Sequence, residues 1–295
     1  MQNQNKKWKL EGGRELLKPK MDIVFQSLFT QKNEEITKSF ISALLEEDIT
    51  SIKINKQKEL YREIPEDKLG ILDLEAEINN EEKVDIEIQL IDRKNLAERM
   101  LFYFSKLYTS KISKGIDYKE AQRVVIIAII DYNLELTKGI EKMETIWNIR
   151  EKDNGKLMLT DKIELHIIEL NKTRKEYSKN RKNKKAQWMM FINNPNEKEV
   201  QEIMEKNEGI KKATVEIVKM SEDEKMERLA FLRQKAIMDE KSIYAAGLEK
   251  GEQRGIEKGE KKTKIEIAKK MKEKMINISE IIQITGLTKE EIDKI

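Results

Sequence analysis

Two neighbouring segments in the first third of the chain alternate between apolar and polar residues. They are residues 71–78 and 83–90, and a short polar stretch separates them. Their apolar positions fall on every second residue and are Leu72, Leu74, Ala76, Ile78, Val84, Ile86, Ile88 and Leu90. A period of two is typical of a strand with one buried face. The pattern therefore predicts a β-hairpin.

The polar face of this hairpin concentrates acidic side chains. Its members are Asp73, Glu75, Glu77, Asp85 and Glu87, with Gln89 at the end of the second segment. Because like charges on neighbouring strands destabilise a sheet, solvent or a divalent cation must offset their repulsion. From the pattern alone a solvated strand face is the simpler interpretation, and these acids cannot all be metal ligands.

Patterns on either side of the hairpin predict the order of the surrounding elements. Apolar residues at helical spacing predict helices that begin near Asp22 and Asn33, and Ile49–Leu60 is a weakly patterned strand. An amphipathic helix is predicted to begin at Asn95. The continuous apolar run from Arg123 to Asp131 is typical of a strand buried on both faces. The predicted order is therefore helix, three strands, helix and strand.

The remaining sequence divides by composition into further segments. We expect a poorly ordered lead-in over residues 1–19, a core with additional strands over 20–170, and a basic linker followed by helices over 171–241. Residues 242–262 predict a helical linker rich in glycine, lysine and glutamate. Residues 263–295 predict three short helices that resemble a helix-turn-helix unit, although the last helix lacks side chains suited to reading bases.

A glycine recurs every four residues in the linker, at Gly247, Gly251, Gly255 and Gly259. Each glycine destabilises a helix by about 1 kcal/mol relative to alanine. The stripe is consistent with close helix–helix packing in a homodimer and with a flexible helical linker, and the sequence does not choose between them.

The amino-acid composition excludes several classes of protein and of metal site. Charged residues make up 38% of the 295 residues and aromatic residues only 6%, which suits a helix-rich soluble protein. Neither a membrane-spanning apolar stretch nor a signal-peptide pattern is present. The chain has no cysteine, which excludes disulfides and cysteine-bound zinc. We expect a cytoplasmic protein without membrane contact, and the net charge of +3 does not by itself indicate nucleic-acid binding.

The single histidine excludes several kinds of catalysis. Serine or cysteine triads need a histidine base, and HExxH zinc sites need two histidines. His166 lies in the alternating run IELHIIEL, which favours a structural role. Hydrolytic chemistry in this chain would therefore depend on carboxylates, lysines and metals with oxygen ligands.

Five segments, taken in order, carry a resemblance to a known family. They are DIVFQSLF from Asp22, KLGILDLEA from Lys68, IEIQ from Ile86, RMLFYFSKLY from Arg99 and KGIDY from Lys114. Together they resemble the PD-(D/E)XK nuclease family transposases, which are related to the recombination-promoting nucleases. The resemblance implies an α/β fold with a restriction-endonuclease-like αβββαβ core, a mixed sheet and a helical C-terminal region. It also implies a metal-dependent DNA endonuclease, associated with recombination or a mobile element.

The resemblance implies a metal site on the hairpin. Asp73 and Glu87, with the backbone carbonyl of Ile88, would hold one Mg²⁺ or Mn²⁺ through hard oxygen ligands. Asp22 is a candidate further ligand, although an N-cap is its simpler role. Lys68 is a candidate source of positive charge.

Gln89 departs from the lysine of the parent motif. An amide can orient a water molecule but supplies no charge, so Lys68, Arg99 or Lys106 would have to provide it. Gln26 also stands where the family often has lysine. The competing interpretation is a catalytically degenerate fold that binds DNA or supports assembly.

Two groups of residues are candidates for nucleic-acid contacts. Arg99, Tyr103 and Lys106 share one face of the helix predicted from Asn95. The second group lies in the basic run over residues 171–185 and comprises Lys172, Arg174, Lys175 and Arg181. A solvent-facing helix stripe and a solvated linker account for the two groups equally well. DNA is the expected partner, and the sequence leaves RNA open.

The metal-site hypothesis sets a condition on the hairpin register. A three-residue connection, Asn79–Glu81, pairs Asp73 with Glu87, and a five-residue connection pairs Asp73 with Gln89. A regular four-residue connection sends the two acids to opposite faces, because a shift of one residue reverses every side chain. The hypothesis therefore excludes a regular four-residue connection, unless a bulge resets the register.

Overall fold

The computed structural model describes residue 10 and residues 13–55, 74–79, 82–110 and 118–295. The chain divides into two compact units, Met1–Ile237 and Met238–Ile295. The first unit contains a mixed β-sheet with helices on both faces, and the second is helical.

The helices and strands have the following bounds. The helices are α1 (Asp22–Leu28), α2 (Glu34–Leu45), α3 (Leu96–Thr109), α4 (Thr173–Lys179), α5 (Lys184–Asn193), α6 (Lys198–Lys206), α7 (Glu208–Glu222), α8 (Glu224–Glu273), α9 (Ile278–Thr285) and α10 (Lys289–Asp293). The strands are β1 (Ile52–Ile54), β2 (Leu74–Ile78), β3 (Glu82–Gln89), β4 (Arg123–Ile130), β5 (Glu144–Trp147) and β6 (Ile163–Glu169).

The six described strands form one sheet in the order β1-β2-β3-β4-β6-β5. The first three strands are antiparallel neighbours, β4 lies parallel to β3 and β6, and β5 is antiparallel to β6. The α3 helix lies in the connection from β3 to β4. The predicted order of helix, three strands, helix and strand is confirmed, and so is the mixed sheet of an α/β fold.

The larger core covers one face of the sheet with α1, α2 and the helices α5 to α7. Its aromatic centre includes Phe29, Phe40 and Trp188, with ring centroids 4.4 Å apart for the first pair and 5.2 Å apart for the second. Trp188 belongs to α5, where the run WMMFI is buried. Residues 173–179 of the basic run form helix α4 rather than a linker, and the helical patch predicted at Trp188–Phe191 lies within α5.

The smaller core lies on the opposite face of the sheet, under α3. Alternate residues of β4 pack there against Leu96, Met100, Tyr103 and Leu107 of α3. As predicted, β4 is buried on both faces, because each core takes every second residue from Val124 to Ile130. The two cores also cover both faces of β3, so its polar residues are buried as well.

The second unit has a small core of its own, composed of Ala268, Ile281, Leu287 and Ile292. The predicted capping box is present, since Thr288 and Glu291 exchange hydrogen bonds at the start of α10. All four glycines of the predicted linker lie within the continuous α8 helix. In the part of the chain that the structure describes, no helix is both long and apolar enough to cross a membrane.

Candidate active site

The β2–β3 hairpin has the three-residue connection that the metal-site hypothesis allows. Ile78 pairs with Glu82 and Leu74 pairs with Ile86, so residues 79–81 connect the strands. Asn79 adopts a left-handed conformation with φ of 52°, which asparagine tolerates better than most residues. Asp73, directly before β2, and Lys68 both lie outside the described residues.

A row of polar side chains on β3 lies between the sheet and α3. The row comprises Lys83, Asp85, Glu87 and Gln89, and none of them is more than 8% exposed. They share one face because strand side chains alternate, and the other face carries Val84, Ile86 and Ile88 into the larger core. The solvated-face interpretation is therefore wrong for Asp85 and Glu87.

Glu87 is held by two residues of α3. The Arg99 guanidinium forms an ion pair with Glu87 Oε1, and the Tyr103 hydroxyl lies 3.5 Å from the same oxygen. Arg99 Nη2 also donates to the Tyr103 hydroxyl over 2.9 Å. Burial raises the pKa of the Glu87 carboxyl, and the neighbouring guanidinium opposes that shift.

These contacts correct the interpretation of the α3 stripe. Tyr103 is buried against Glu87, so its hydroxyl does not face solvent. Arg99 points to the same carboxylate but stays partly exposed, and the Lys106 ammonium lies 5.7 Å from the centre of the Phe102 ring. Of the three predicted nucleic-acid contacts on α3, Tyr103 is turned inward to the carboxylate, and those of Arg99 and Lys106 stay predictions.

Two buried polar atoms in the row fit a hard cation and its water. Glu87 Oε2 and Gln89 Nε2 make no hydrogen bond of normal geometry among the described residues, although the Gln89 amide is close enough to the Glu87 carboxyl to lower its pKa. A buried carboxylate oxygen without a partner is destabilising, and carboxylate oxygens are ligands that Mg²⁺ binds. No group of three acidic or histidine side chains could hold a metal within the described ranges. Asp73, the second acidic ligand that the resemblance implies, lies outside these ranges.

Gln89 has a partner that the sequence did not indicate. The Tyr132 hydroxyl, which follows β4, lies 3.4 Å from Gln89 Oε1. Burial raises the pKa of Tyr132, so its hydroxyl stays protonated and can donate. With Oε1 accepting from Tyr132, the amide nitrogen of Gln89 is the atom that remains for a ligand.

Lys83 is a second residue whose role the sequence did not indicate. Its ammonium donates to the carbonyl of Leu107 over 3.2 Å and to the hydroxyl of Ser110. Both acceptors lie at the C-terminal end of α3, where a cation is favoured by the helix dipole. Lys83 thus fixes the end of α3 to β3, and its place in the polar alternation was the available signal.

Asp22 lies at the start of α1 and pairs with an arginine from a distant part of the chain. The N-cap of α1 is Met21, and Asp22 is the first helical residue, so the N-cap prediction is wrong. Its Oδ2 accepts from Arg233 Nε over 2.7 Å. The α1 helix packs into the larger core, on the face of the sheet opposite Glu87. Arg233 is thus an ion-pair partner of Asp22, and the role of Asp22 as a further metal ligand stays a prediction.

The basic run after β6 is largely neutralised by carboxylates of the same chain. Lys172 pairs with Glu169, Arg174 pairs with Glu197 at 2.5 Å and with Glu199 at 3.1 Å, and Lys175 pairs with Glu141 at 2.7 Å. Arg181 is exposed, and its backbone carbonyl accepts from Gln187. Ion pairs within the chain thus engage Lys172, Arg174 and Lys175, and their predicted phosphate contacts stay a prediction.

The single histidine belongs to a largely buried ionic network, in agreement with the structural role predicted for it. His166 Nδ1 lies 2.8 Å from Glu144 and Nε2 lies 2.7 Å from Glu164. Lys185 also pairs with Glu144, and Arg123 pairs with Glu164 at 3.2 Å. The network joins strands β4, β5 and β6 to helix α5, on the sheet face opposite Glu87.

This network should make folding stability depend on pH. Burial alone would lower the pKa of His166, but the two carboxylates raise it above 6.5. A raised folded-state pKa stabilises the fold fully below the unfolded value, and that contribution is lost as pH rises through the folded value. We expect His166→Gln to lose about 1–3 kcal/mol near pH 6 and less near pH 9, measured by urea unfolding.

The carboxylates of the network set the lowest pH at which it stabilises the fold. The pKa of Glu164 is lowered to about 2, chiefly by its hydrogen bond to His166. Its contribution is therefore present above 4.5 and is lost as pH falls toward 2. If His166→Gln loses the same stability near pH 6 as near pH 9, the network does not depend on a charged His166.

A comparison with protein families finds a match that covers most of the chain. A family model described as PD-(D/E)XK nuclease family transposase matches residues 19–247. The matched span includes the sheet, α3 and the buried polar row. No curated protein and no solved structure matches the chain.

Proposed function

Since the chain belongs to the PD-(D/E)XK nuclease family transposases, we propose that it is a metal-dependent endonuclease that hydrolyses DNA. The proposed active site lies on the β2–β3 hairpin beneath α3. The observation that carries the proposal is the buried Glu87 carboxylate, whose Oε2 makes no hydrogen bond of normal geometry within the described ranges. A role in recombination or at a mobile element is part of the same proposal.

The proposed site combines acidic ligands from both strands of the hairpin. Glu87, Asp73 and the carbonyl of Ile88 would hold one Mg²⁺ or Mn²⁺. When bound, such an ion supplies positive charge that polarises the scissile phosphate and activates water. Hydrolysis adds the water oxygen to phosphorus while one P–O ester bond breaks, which leaves a phosphomonoester and a free hydroxyl.

The remaining residues of the site would orient water and balance charge. Gln89 can donate from Nε2 to a water molecule, and Tyr132 favours that orientation by occupying Oε1. Neither residue supplies the positive charge of the lysine in the parent motif. Arg99 is the cation that contacts Glu87 in the described structure, and Lys68 is a further candidate.

The test is cleavage of supercoiled plasmid DNA by the pure protein. We expect Mg²⁺ or Mn²⁺ to produce nicked circles, and excess chelator to abolish them. Single-stranded DNA and structured RNA of equal length, tested in parallel, identify the preferred substrate. Salt-dependent DNA binding without cleavage in either metal would contradict the proposal and support a degenerate DNA-binding protein.

A further inference from the structure

We propose that Arg99 is a built-in counterion that couples metal binding at Glu87 to the arrival of nucleic acid. Without nucleic acid, its guanidinium neutralises Glu87 and competes with a divalent cation. A phosphate group of the substrate then draws the guanidinium away and leaves the carboxylate to the metal. This inference rests on the proposed function and adds a regulation of the same site.

The geometry gives Arg99 access to both the carboxylate and the solvent. Its Nη2 pairs with Glu87 Oε1, so one carboxylate oxygen is engaged by a cation and the other makes no hydrogen bond of normal geometry in the described structure. The Glu87 side chain is 5% exposed, whereas that of Arg99 is 26% exposed. The arginine therefore connects a buried carboxylate to the surface where a substrate would approach.

Tyr103 holds the guanidinium in this position. Its hydroxyl accepts from Arg99 Nη2, and the Arg99 Cζ atom lies 5.6 Å from the centre of the Tyr103 ring. Both residues belong to α3 and are four positions apart, so they share one helix face. The paired state is thus supported by helix geometry as well as by charge.

Electrostatics sets the direction of the coupling. A guanidinium and a divalent cation at one buried carboxylate repel each other, and little solvent screens them there. The planar guanidinium fork is well suited to phosphate, which offers a comparable anionic partner. Because coupling between two ligands is reciprocal, nucleic acid should strengthen metal binding as much as metal strengthens nucleic-acid binding.

The experiment measures Mn²⁺ affinity by calorimetry without nucleic acid, at about pH 8, well above the ordinary carboxyl pKa. Wild type is compared with Arg99→Gln, Glu87→Gln and Arg150→Gln. Arg150 donates to Asn148 and Gly155 in a surface loop, so it is a matched arginine control. We expect Arg99→Gln to bind Mn²⁺ about fivefold more tightly or better, and Arg150→Gln to match wild type.

The same variant should lose activity while it gains metal affinity. At saturating Mn²⁺, Arg99→Gln should cleave DNA about tenfold more slowly or worse, because the cation for the phosphate is gone. A merely structural arginine would not produce these opposite changes. Unchanged or weaker Mn²⁺ binding in Arg99→Gln overturns the inference.

The Glu87→Gln variant distinguishes a failure of the proposed coupling from a failure of the proposed metal site. If Glu87→Gln weakens Mn²⁺ binding but Arg99→Gln does not strengthen it, the coupling is wrong and the metal site stands. If Glu87→Gln leaves Mn²⁺ binding intact, the metal site at Glu87 fails and the coupling fails with it.

Discussion

Replacing Glu87 with glutamine should reduce metal-dependent DNA cleavage by at least about 10³-fold while leaving the protein folded. Glutamine has nearly the same shape and still offers Arg99 a carbonyl acceptor. It lacks the negative charge with which a carboxylate holds a divalent cation. Initial nicking rates at saturating Mn²⁺ measure the first effect, and circular dichroism with thermal unfolding measures the second.

Glu75→Gln is the matched control for this charge removal. Glu75 lies on β2 opposite Asp85, is only partly buried, and accepts from Asn55 over 2.7 Å. We expect its cleavage rate to stay within about twofold of wild type, as for a charge near the surface. If Glu87→Gln cleaves as fast as Glu75→Gln, Glu87 is not part of the active site.

Replacing Trp188 with alanine should destabilise the first unit by about 3–5 kcal/mol. Trp188 is 1% exposed, and its ring centroid lies 5.2 Å from that of Phe40 and 5.8 Å from that of Phe191. Removal of the indole would leave a cavity between α2 and α5. Urea unfolding followed by far-ultraviolet circular dichroism measures the loss.

Trp147 provides the comparison, because it is the same residue type in an exposed position. It is 40% exposed on β5, and its indole nitrogen donates to Thr145 over 3.0 Å. Trp147→Ala should destabilise the protein by no more than about 1 kcal/mol. Equal losses in the two variants would show that α5 does not complete the larger core.

The order of the elements was predictable because the patterns are local and strong. The alternation around Glu87 identifies the hairpin, and the apolar run from Val124 to Ile130 identifies the central strand. Both signals depend on periods of two or on continuous burial, which a sequence displays directly. The resemblance to a nuclease family then indicated how these elements are arranged in one fold.

The burial of the polar row was not predictable in the same way. Alternation shows that Glu87 and Gln89 share a face, but it does not show whether solvent or a helix covers that face. For the α3 face that carries Arg99 and Tyr103, the sequence indicates a solvent-facing stripe or a nucleic-acid contact, and not cover for the sheet. Tyr103 nevertheless completes the spacing Leu96, Met100, Tyr103 and Leu107, and this set is the buried one.

Long-range ion pairs were also hidden from sequence reasoning. Asp22 and Arg233 are 211 positions apart, and no local pattern relates them. The basic run beginning at Lys172 had the composition of a solvated segment, yet its partners come from separate parts of the fold. Pairing of this kind depends on the tertiary structure, which no local composition displays.

Anomalous diffraction from crystals of the protein bound to a DNA duplex and soaked in Mn²⁺ would test the central claim most directly, because it locates the ion without relying on activity. We predict a manganese peak about 2.0–2.4 Å from Glu87 Oε2, with a carboxylate oxygen of Asp73 as a second ligand. A crystal in which Mn²⁺ occupies other sites and Glu87 remains paired with Arg99 alone, under conditions that support DNA cleavage, would contradict it.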